Sequence, residues 1–525
     1  MMKKILVLIM VAFITVLVGC KSDGLQKNKY SFDLEVDVTE LRESLVFNYT
    51  LVDEDDLLKN SEISYKVVNK ETEASVKTGT LTISDKGEGS ATVSSLTAAT
   101  TYIATFTTGY KGKNILLVEK EVTTTNEGTL ENPYKISTAQ DLKNKLGNDR
   151  TAAFELTNDI DLNGEYISPI FKASTTFNGT FDGKGYKIKN YKTGTKDSTT
   201  SLSGTAYAGL FGYIGAKGVV KNVTFEGAEL YLSRSSSANA SIVAGYNCGT
   251  IDNVDVVDSK LFFRGSSDKV YYVGIIAGYN ADHASVKNCD VDCDIELETT
   301  TGSIVAGGVI GYNESETELP IRNIISDCTF TGSISVVSSG NIKSSGTVEM
   351  AIGGIAGRNY SSILNCEATA NITVKLESKK DSSSQEDATA IENYRVLVGG
   401  LVGQNVSDSA ILDNSTATVS FDVEAKYASK VYVGGVAGQN GARDGSRALI
   451  TNCTYKLPAD ATNKLSVLNH TALGSVAANV IGNDLAHQSG VKTDAHTFTI
   501  DYYKFVEETL ELDKTETINV AAITE

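Results

Sequence analysis

The chain has 525 residues with 65 acidic against 47 basic side chains, a formal net charge of -18. That balance argues against a nucleic-acid partner, because phosphate neutralisation needs clustered Lys and Arg. Hydrophobic residues make up 41%, ordinary for a folded soluble protein and too few for a multispanning membrane protein, and only four His are present, leaving little material for His-based catalysis or a His-rich metal site.

Lys3 and Lys4 precede an apolar run from Ile5 to Val18. A positive start, an apolar stretch shorter than the roughly 20 residues of a membrane span, and small residues at its end read as a secretory signal over residues 1–19. The string Leu17-Val18-Gly19-Cys20 resembles the lipobox of bacterial lipoproteins. The resemblance implies that Cys20 is acylated and that residues 20–29 serve as anchor and linker. It also implies an extracytoplasmic protein on the bacterial cell surface, whose first partner is the membrane through that lipid. The other reading is an ordinary cleaved signal with a chance cysteine.

Residues 30–125 alternate in short β-patterned stretches, among them Tyr65-Lys66-Val67-Val68 and Thr80-Leu81-Thr82-Ile83. The segment Leu96-Thr97-Ala98-Ala99-Thr100-Thr101-Tyr102 resembles the strand approach of fibronectin type III domains, where the Tyr hydroxyl ties back to upstream backbone. Ala98 stands where that family often has Pro, and the usual Trp is missing. The resemblance implies a small β-sandwich of fibronectin type III or immunoglobulin type, acting as a spacer.

Asn126-Glu127-Gly128-Thr129 reads as a hinge. Ser137-Thr138-Ala139-Gln140 fits a capping box opening a helix through Leu146, with Leu142 and Leu146 on one side. Together with the β-patterned Phe154-Glu155-Leu156 and Tyr186-Lys187-Ile188-Lys189, this makes residues 126–204 a helix-containing N-terminal cap and first coils, as a repeat array needs.

Seven segments then align without gaps on one glycine: AGLFGYI, SIVAGYN, GIIAGYN, GGVIGYN, GGIAGRN, GGLVGQN and GGVAGQN. The shared positions are Gly212, Gly245, Gly278, Gly311, Gly357, Gly403 and Gly438. A repeat of this size marks a solenoid. An apolar strand would pack inward, Gly would let the backbone turn or approach closely, and the motif Asn would tolerate left-handed geometry. A second landmark follows each motif, at Asn222, Asn253, Asn288, Asp327, Asn365, Asn414 and Asn452. After it the sequence alternates, as in Cys366, Ala368, Ala370, Ile372 and Val374 against Glu367, Thr369, Asn371, Thr373 and Lys375. Each repeat therefore reads as strand, turn, strand with one face buried. Stacking places these Asn residues in a ladder and the small Cys or Val residues after them in an interior column. The fold class is all-β, a parallel β-helix preceded by a small β-sandwich.

The Gly-Gly-Leu-Val-Gly-Gln-Asn string and its relatives resemble the GLUG motif of bacterial surface proteins over residues 205–460, with an eighth copy decaying near Gly474-Ser475-Val476-Ala477. The block from Asn132-Pro133-Tyr134 through Asp159-Ile160-Asp161-Leu162 to Phe181-Asp182-Gly183 resembles the segment that introduces such repeats. The family includes adhesins and the non-catalytic parts of immunoglobulin A peptidases. Residues 461–525 complete the array as last coil and C-terminal cap.

The chemical candidates are few. Cys289 and Cys293, four residues apart on one strand, are separated by about 13 Å and cannot share a bridge or a metal. Cys289, Cys328 and Cys366 stack in neighbouring coils, and parallel side chains favour buried free thiols over disulfides. Asp290, Asp292, Asp294 and Glu296 line one outward face with Asp255 beside Asp290. A calcium site or carboxylate pair is conceivable there, and a solvated acidic face is the simpler reading. His283, His470, His487 and His496 form no His-Glu-x-x-His, and no nucleophile elbow is present. The reading is therefore no catalytic residue, no metal and no cofactor.

Long Ser-, Thr- and Lys-rich loops at 194–206, 234–241, 338–350 and 377–390 should emerge on one side of the solenoid. Phe262, Phe263, Tyr271, Tyr272, Tyr394, Tyr427 and Tyr432 nearby are candidates for stacking on sugars, or simply half-buried strand residues. The function this supports is an adhesin-like, lipid-anchored binding protein that recognises a host or cell-wall glycan or protein ligand. A purely structural stalk and a β-helix carbohydrate-active enzyme are the alternatives.

Overall fold

The computed structural model describes residues 25–524 apart from 59–60, 85, 282, 315–322, 341–347, 378–390, 443–446, 469–475 and 507–508, and its regular elements are almost all strands. The signal stretch, Cys20, loop 378–390 and most of 338–350 thus lie outside the described residues. The chain divides into two units between Asn126 and Glu127.

The first unit is a two-sheet sandwich. One sheet orders Gln26–Lys27, Lys113–Thr123, Thr101–Tyr110, Ile63–Asn69 and Ser75–Thr80; the other orders Asp33–Glu40, Ser44–Val52 and Glu88–Ser94. Period-two alternation sends one face of each strand inward. Phe47 of one sheet meets Phe106 of the other edge-on at 5.1 Å, with Val67 and Val93 buried around them. The Tyr102 hydroxyl accepts from the Thr97 backbone N–H at 2.9 Å, the tie-back expected from the sequence.

In the second unit the helix starts one residue later than read. Thr138, not Ser137, caps it and Asp141 reciprocates; Ala139–Asp141 is α-helical and Leu142–Leu146 continues as a π-helix, with Leu142 and Leu146 buried. Asp works here as Gln would, because either side chain reaches back to the cap N–H. Tyr134–Ile136, Ala153–Leu156, Thr180–Asp182 and Val219–Glu226 then pair in parallel one after another, starting the solenoid.

Most later coils have four strand segments rather than two, spread over two walls; in two coils a pair of segments merges into one strand, Thr250–Gly265 and Ala428–Asn440. A representative coil runs through Ile324–Ser326 and Thr329–Ser338 on the first wall, then Val348–Gly353 and Ala356–Asn359 on the second. Coils stack in parallel: Leu261, Ile295, Ile334, Ile372 and Phe421 are register partners and form one interior column. On the first wall stands the second landmark, between two strand segments in most coils and inside one strand at Asn222 and Asn253. Asn222, Asn253, Asn288, Asp327, Asn365, Asn414 and Asn452 all have φ between +46° and +55°, which Asn and Asp tolerate because a short polar side chain can bond locally.

These Asn residues form only an interrupted, exposed ladder. Asn253 donates to Asn222 at 3.0 Å and Asn414 to Asn365 at 2.8 Å, whereas Asn288 turns to Asp252 and Asn452 to Asp413. The continuous ladder is the other one. Asn247, Asn280, Asn313, Asn359 and Asn405, fully buried, each donate to the next at 2.8–3.0 Å, the last link reaching Asn440. Asn440 donates in turn to Asp484 at 2.9 Å. So the motif Asn is a strand residue and not a left-handed one. The seven motif glycines likewise adopt no left-handed geometry. They serve close approach: a Cβ on Gly245, Gly278, Gly311, Gly357, Gly403 or Gly438 would lie 2.5–2.9 Å from atoms of the preceding coil. Gly212 approaches the backbone of Phe171 in the same way.

The eighth copy sits later than read. Ala437 pairs with Ile481 and Asn440 with Asp484, so the equivalent glycine is Gly482, in Val476–Asp484. Beyond it, His496–Val506 continues the first wall and folds back antiparallel with Thr509–Val520, a charged strand covering the array's end. His496 is buried between Tyr455 and Phe498, its ring centroid 4.8 and 5.4 Å from theirs, and Nδ1 lies 2.9 Å from the Asp494 carbonyl. Burial lowers its pKa, so the fold holds it neutral while an unfolded chain protonates it below about pH 6.5. Stability should therefore be full above that pH and fall as pH drops through it. Thermal melts from pH 7.5 to 5 check this: His496→Phe should flatten the slope, and an unchanged slope would show that this site does not contribute.

Candidate functional site

The interior column behind the exposed landmark is Val223, Val254, Cys289, Cys328, Cys366, Ser415 and Cys453, all at most 2% exposed. Each of its thiols donates to the carbonyl two residues back at 3.1–3.2 Å. None of the six described cysteines is in a disulfide, and all six are buried. Contact with the Cys289 thiol, together with burial, pushes Cys328 well above the ordinary thiol range, and burial pushes Cys453 up to about 12. The nucleophile is the thiolate. All six are buried, so at pH 8 a thiol reagent should leave them untouched in folded protein and label all of them in denaturant; rapid labelling of the native chain would contradict their burial.

The acidic face is real, but it is satisfied laterally. Asp255 accepts from the Asp290 N–H at 3.0 Å, Thr329 donates to Asp290 at 2.6 Å, and Lys260 and Lys196 pair with Glu296 at 2.5 and 2.9 Å. No group of three potential metal ligands occurs among the described residues. Loop 194–206 does not simply project: Thr200–Ser201 is a wall strand, and Lys196 reaches across to Glu296.

Of the aromatic candidates, Phe263, Tyr271 and Tyr394 are interior and fully buried. Phe262 aligns with the outward Glu296 but is covered by Lys196 at 5.3 Å and Arg264 at 5.1 Å. Tyr272, Tyr427 and Tyr432 are half-buried.

The residues that do line up went unselected. Tyr213, Tyr246, Tyr279 and Tyr312 are direct register partners on four successive coils of the second wall. Their rings stack at 4.6, 4.9 and 4.7 Å with interplanar angles of 21°, 6° and 19°, and all four are half-buried. Tyr272 touches Tyr279 and Tyr312 edge-on at 5.2 and 5.3 Å. The column continues in register to Arg358, which lies 6.0 Å over Tyr312 and pairs with Glu349. Tyr279 donates to Glu314 at 3.0 Å. Burial raises the Tyr279 and Tyr312 phenols above their usual range, so they stay protonated donors at any physiological pH.

Residues 349–373, beginning at Glu349 and including Gly357 and Asn359, match the family model described as the GLUG motif. That match is shorter than one coil and runs from the second wall of one coil into the first wall of the next. A protein of Evansella cellulosilytica, provisionally named a Gly-rich membrane protein, is 36% identical over 139 residues, 25% of this chain and 15% of its own length. Halomucin of Haloquadratum walsbyi is 32% identical over 145 residues, 25% of this chain and 2% of its own. The chain thus spans only a small part of the relatives it matches. Among solved structures, a family 28 exopolygalacturonase of Yersinia enterocolitica aligns over 89% of this chain and 99% of its own at 10% identity, with a TM-score of 0.17.

Proposed function

We propose that the protein is a bacterial surface lipoprotein of the adhesin type, held to the membrane through acylated Cys20, with a fibronectin-like sandwich as spacer and the GLUG-type solenoid as the binding part. The observation that carries the binding reading is the half-exposed column Tyr213, Tyr246, Tyr279 and Tyr312, rigidly stacked across four coils. Tyrosine offers large contact area, a hydroxyl and little rotamer entropy to lose, and stacking has already spent most of that entropy. A relative named as a membrane protein is in keeping with the location.

Two measurements test this. Cys20→Ala should abolish incorporation of labelled fatty acid and release the protein from the membrane fraction. Binding of the purified chain to glycan, cell-wall and host-matrix panels should be saturable and weaken roughly tenfold, about 1.4 kcal/mol, in Tyr246→Ala. A folded chain that binds nothing on those panels would return the solenoid to the role of a stalk.

A further inference from the structure

Successive column tyrosines are register partners in parallel strands, so the column repeats once per coil, about 4.8 Å along the solenoid axis. The ring faces are already occupied. Inner rings cover one another, Tyr207 packs edge-on against Tyr213 and Tyr246 at 5.5 and 5.8 Å, and Arg358 and Tyr360 close the far end over Tyr312. What remains for a ligand is a strip of ring edges carrying hydroxyl groups; those of Tyr279 and Tyr213 already bond Glu314 and the Cys248 thiol, and a phenol oxygen so engaged can still accept a further bond. A planar aromatic ligand or a proline-rich peptide, which needs an open ring face, gains little there. A sugar ring, with C–H groups and hydroxyls alternating around it, matches such a strip.

Charge narrows the class. The chain carries a net charge of -18. The cation in register with the column, Arg358, is paired with Glu349, whose other oxygen lies 3.8 Å from Arg395, and Glu314 sits beside Tyr279. Among the described residues no row of cations lies along the column to offset the repulsion a polyanion would meet.

We propose, building on the binding reading above, that the Tyr213–Tyr312 column binds an uncharged, extended β-linked polysaccharide lying parallel to the solenoid axis, one sugar per coil. An extended β-1,4-linked pyranose chain advances by nearly the coil spacing per ring, so sugars and tyrosines stay in step across the four coils. A curled α-linked chain falls out of step after one or two rings.

The test is calorimetric titration of the full chain, purified in detergent, with cello-, xylo- and chito-oligosaccharides from disaccharide to hexasaccharide. Malto-oligosaccharides and oligogalacturonate serve as the curled and charged probes. Binding should be confined to the uncharged β-linked series and tighten with each added sugar up to about the tetrasaccharide, then level off. Tyr246→Ala and Tyr279→Ala should each weaken the tetrasaccharide at least tenfold while the melting curve is kept. Tyr65→Phe, in the sandwich unit, should change nothing. Length-independent binding, equal binding of the curled or charged probes, or binding indifferent to the column variants would overturn the proposal. If cell-wall or matrix ligands bind while none of these oligosaccharides does, this assignment fails and the surface-binding reading stands. If nothing binds at all, both fail.

Discussion

Replacing Asn313 with leucine is expected to cost the solenoid roughly 3 kcal/mol or more and to broaden its unfolding or split it in two. The substitution keeps the volume but removes the acceptor for Asn280 Nδ2 and the donor to Asn359 Oδ1, both in fully buried side chains. Leaving a buried polar group unsatisfied costs about 1–3 kcal/mol each. Because each coil touches mainly its neighbours, the break falls between coils and uncouples the array there. The comparison is Asn365→Gly on the exposed ladder. Its φ of +54° suits glycine, and water replaces the lost bonds, so the change should stay within about 1 kcal/mol. Denaturant melts followed by circular dichroism, with hydrogen exchange over 277–313, read both. Equal shifts for the two variants would mean that the buried ladder adds nothing to stability.

The second large effect is expected at Gly403. An alanine Cβ there would lie 2.5 Å from Ile352 N and 2.6 Å from Gly357 O, both backbone atoms of the preceding coil. Neither can move aside without disturbing the coil beyond it. Overpacking a tight site costs typically 1–3 kcal/mol, and here the whole interface must open, so Gly403→Ala should lose at least about 3 kcal/mol and Gly403→Val should fail to accumulate folded. Gly109, in the sandwich, has open space around the same position and ordinary φ, so Gly109→Ala should be neutral or slightly stabilising, by up to about 1 kcal/mol. A Gly403→Ala melting point within a degree of the parent would refute the close-approach account.

Much of the architecture was legible because a solenoid writes its geometry into sequence once per turn. The glycine column, the Asn before each alternating stretch and the interior cysteines all recur at fixed offsets, and parallel register converts each recurrence into a stack. Depth was harder to read. Most coils supply two Asn residues, one at the first-wall landmark and one closing the second-wall strand, and frequency does not say which is buried. The alternation within Ile310–Asn313 puts Gly311 and Asn313 on one side and Tyr312 on the other. That pattern was the available signal for the tyrosine column, visible as the penultimate letter of GYN in three motifs and as the Tyr of FGYI in the first. Binding faces are commonly sought in insertions, and two of the four insertions here lie largely outside the described residues. Phe262 misled for a different reason: its outward register was readable, but the strap residue Lys196 that hides it comes from a segment 66 positions earlier.

The buried Asn ladder has a direction. Every side chain from Asn247 to Asn440 donates toward the C-terminal end, and the series stops at Asp484, a side chain that only accepts. The aligned amide dipoles thus present their positive end to a carboxylate, much as a helix does to an anion at its N-terminus. A coil placed anywhere inside the series takes one hydrogen bond and gives one, so adding or deleting a whole coil leaves the tally unchanged, whereas a partial coil does not. The array is therefore free to vary in length in whole steps of about 4.8 Å, with its two terminators kept, so its reach can be set by copy number alone.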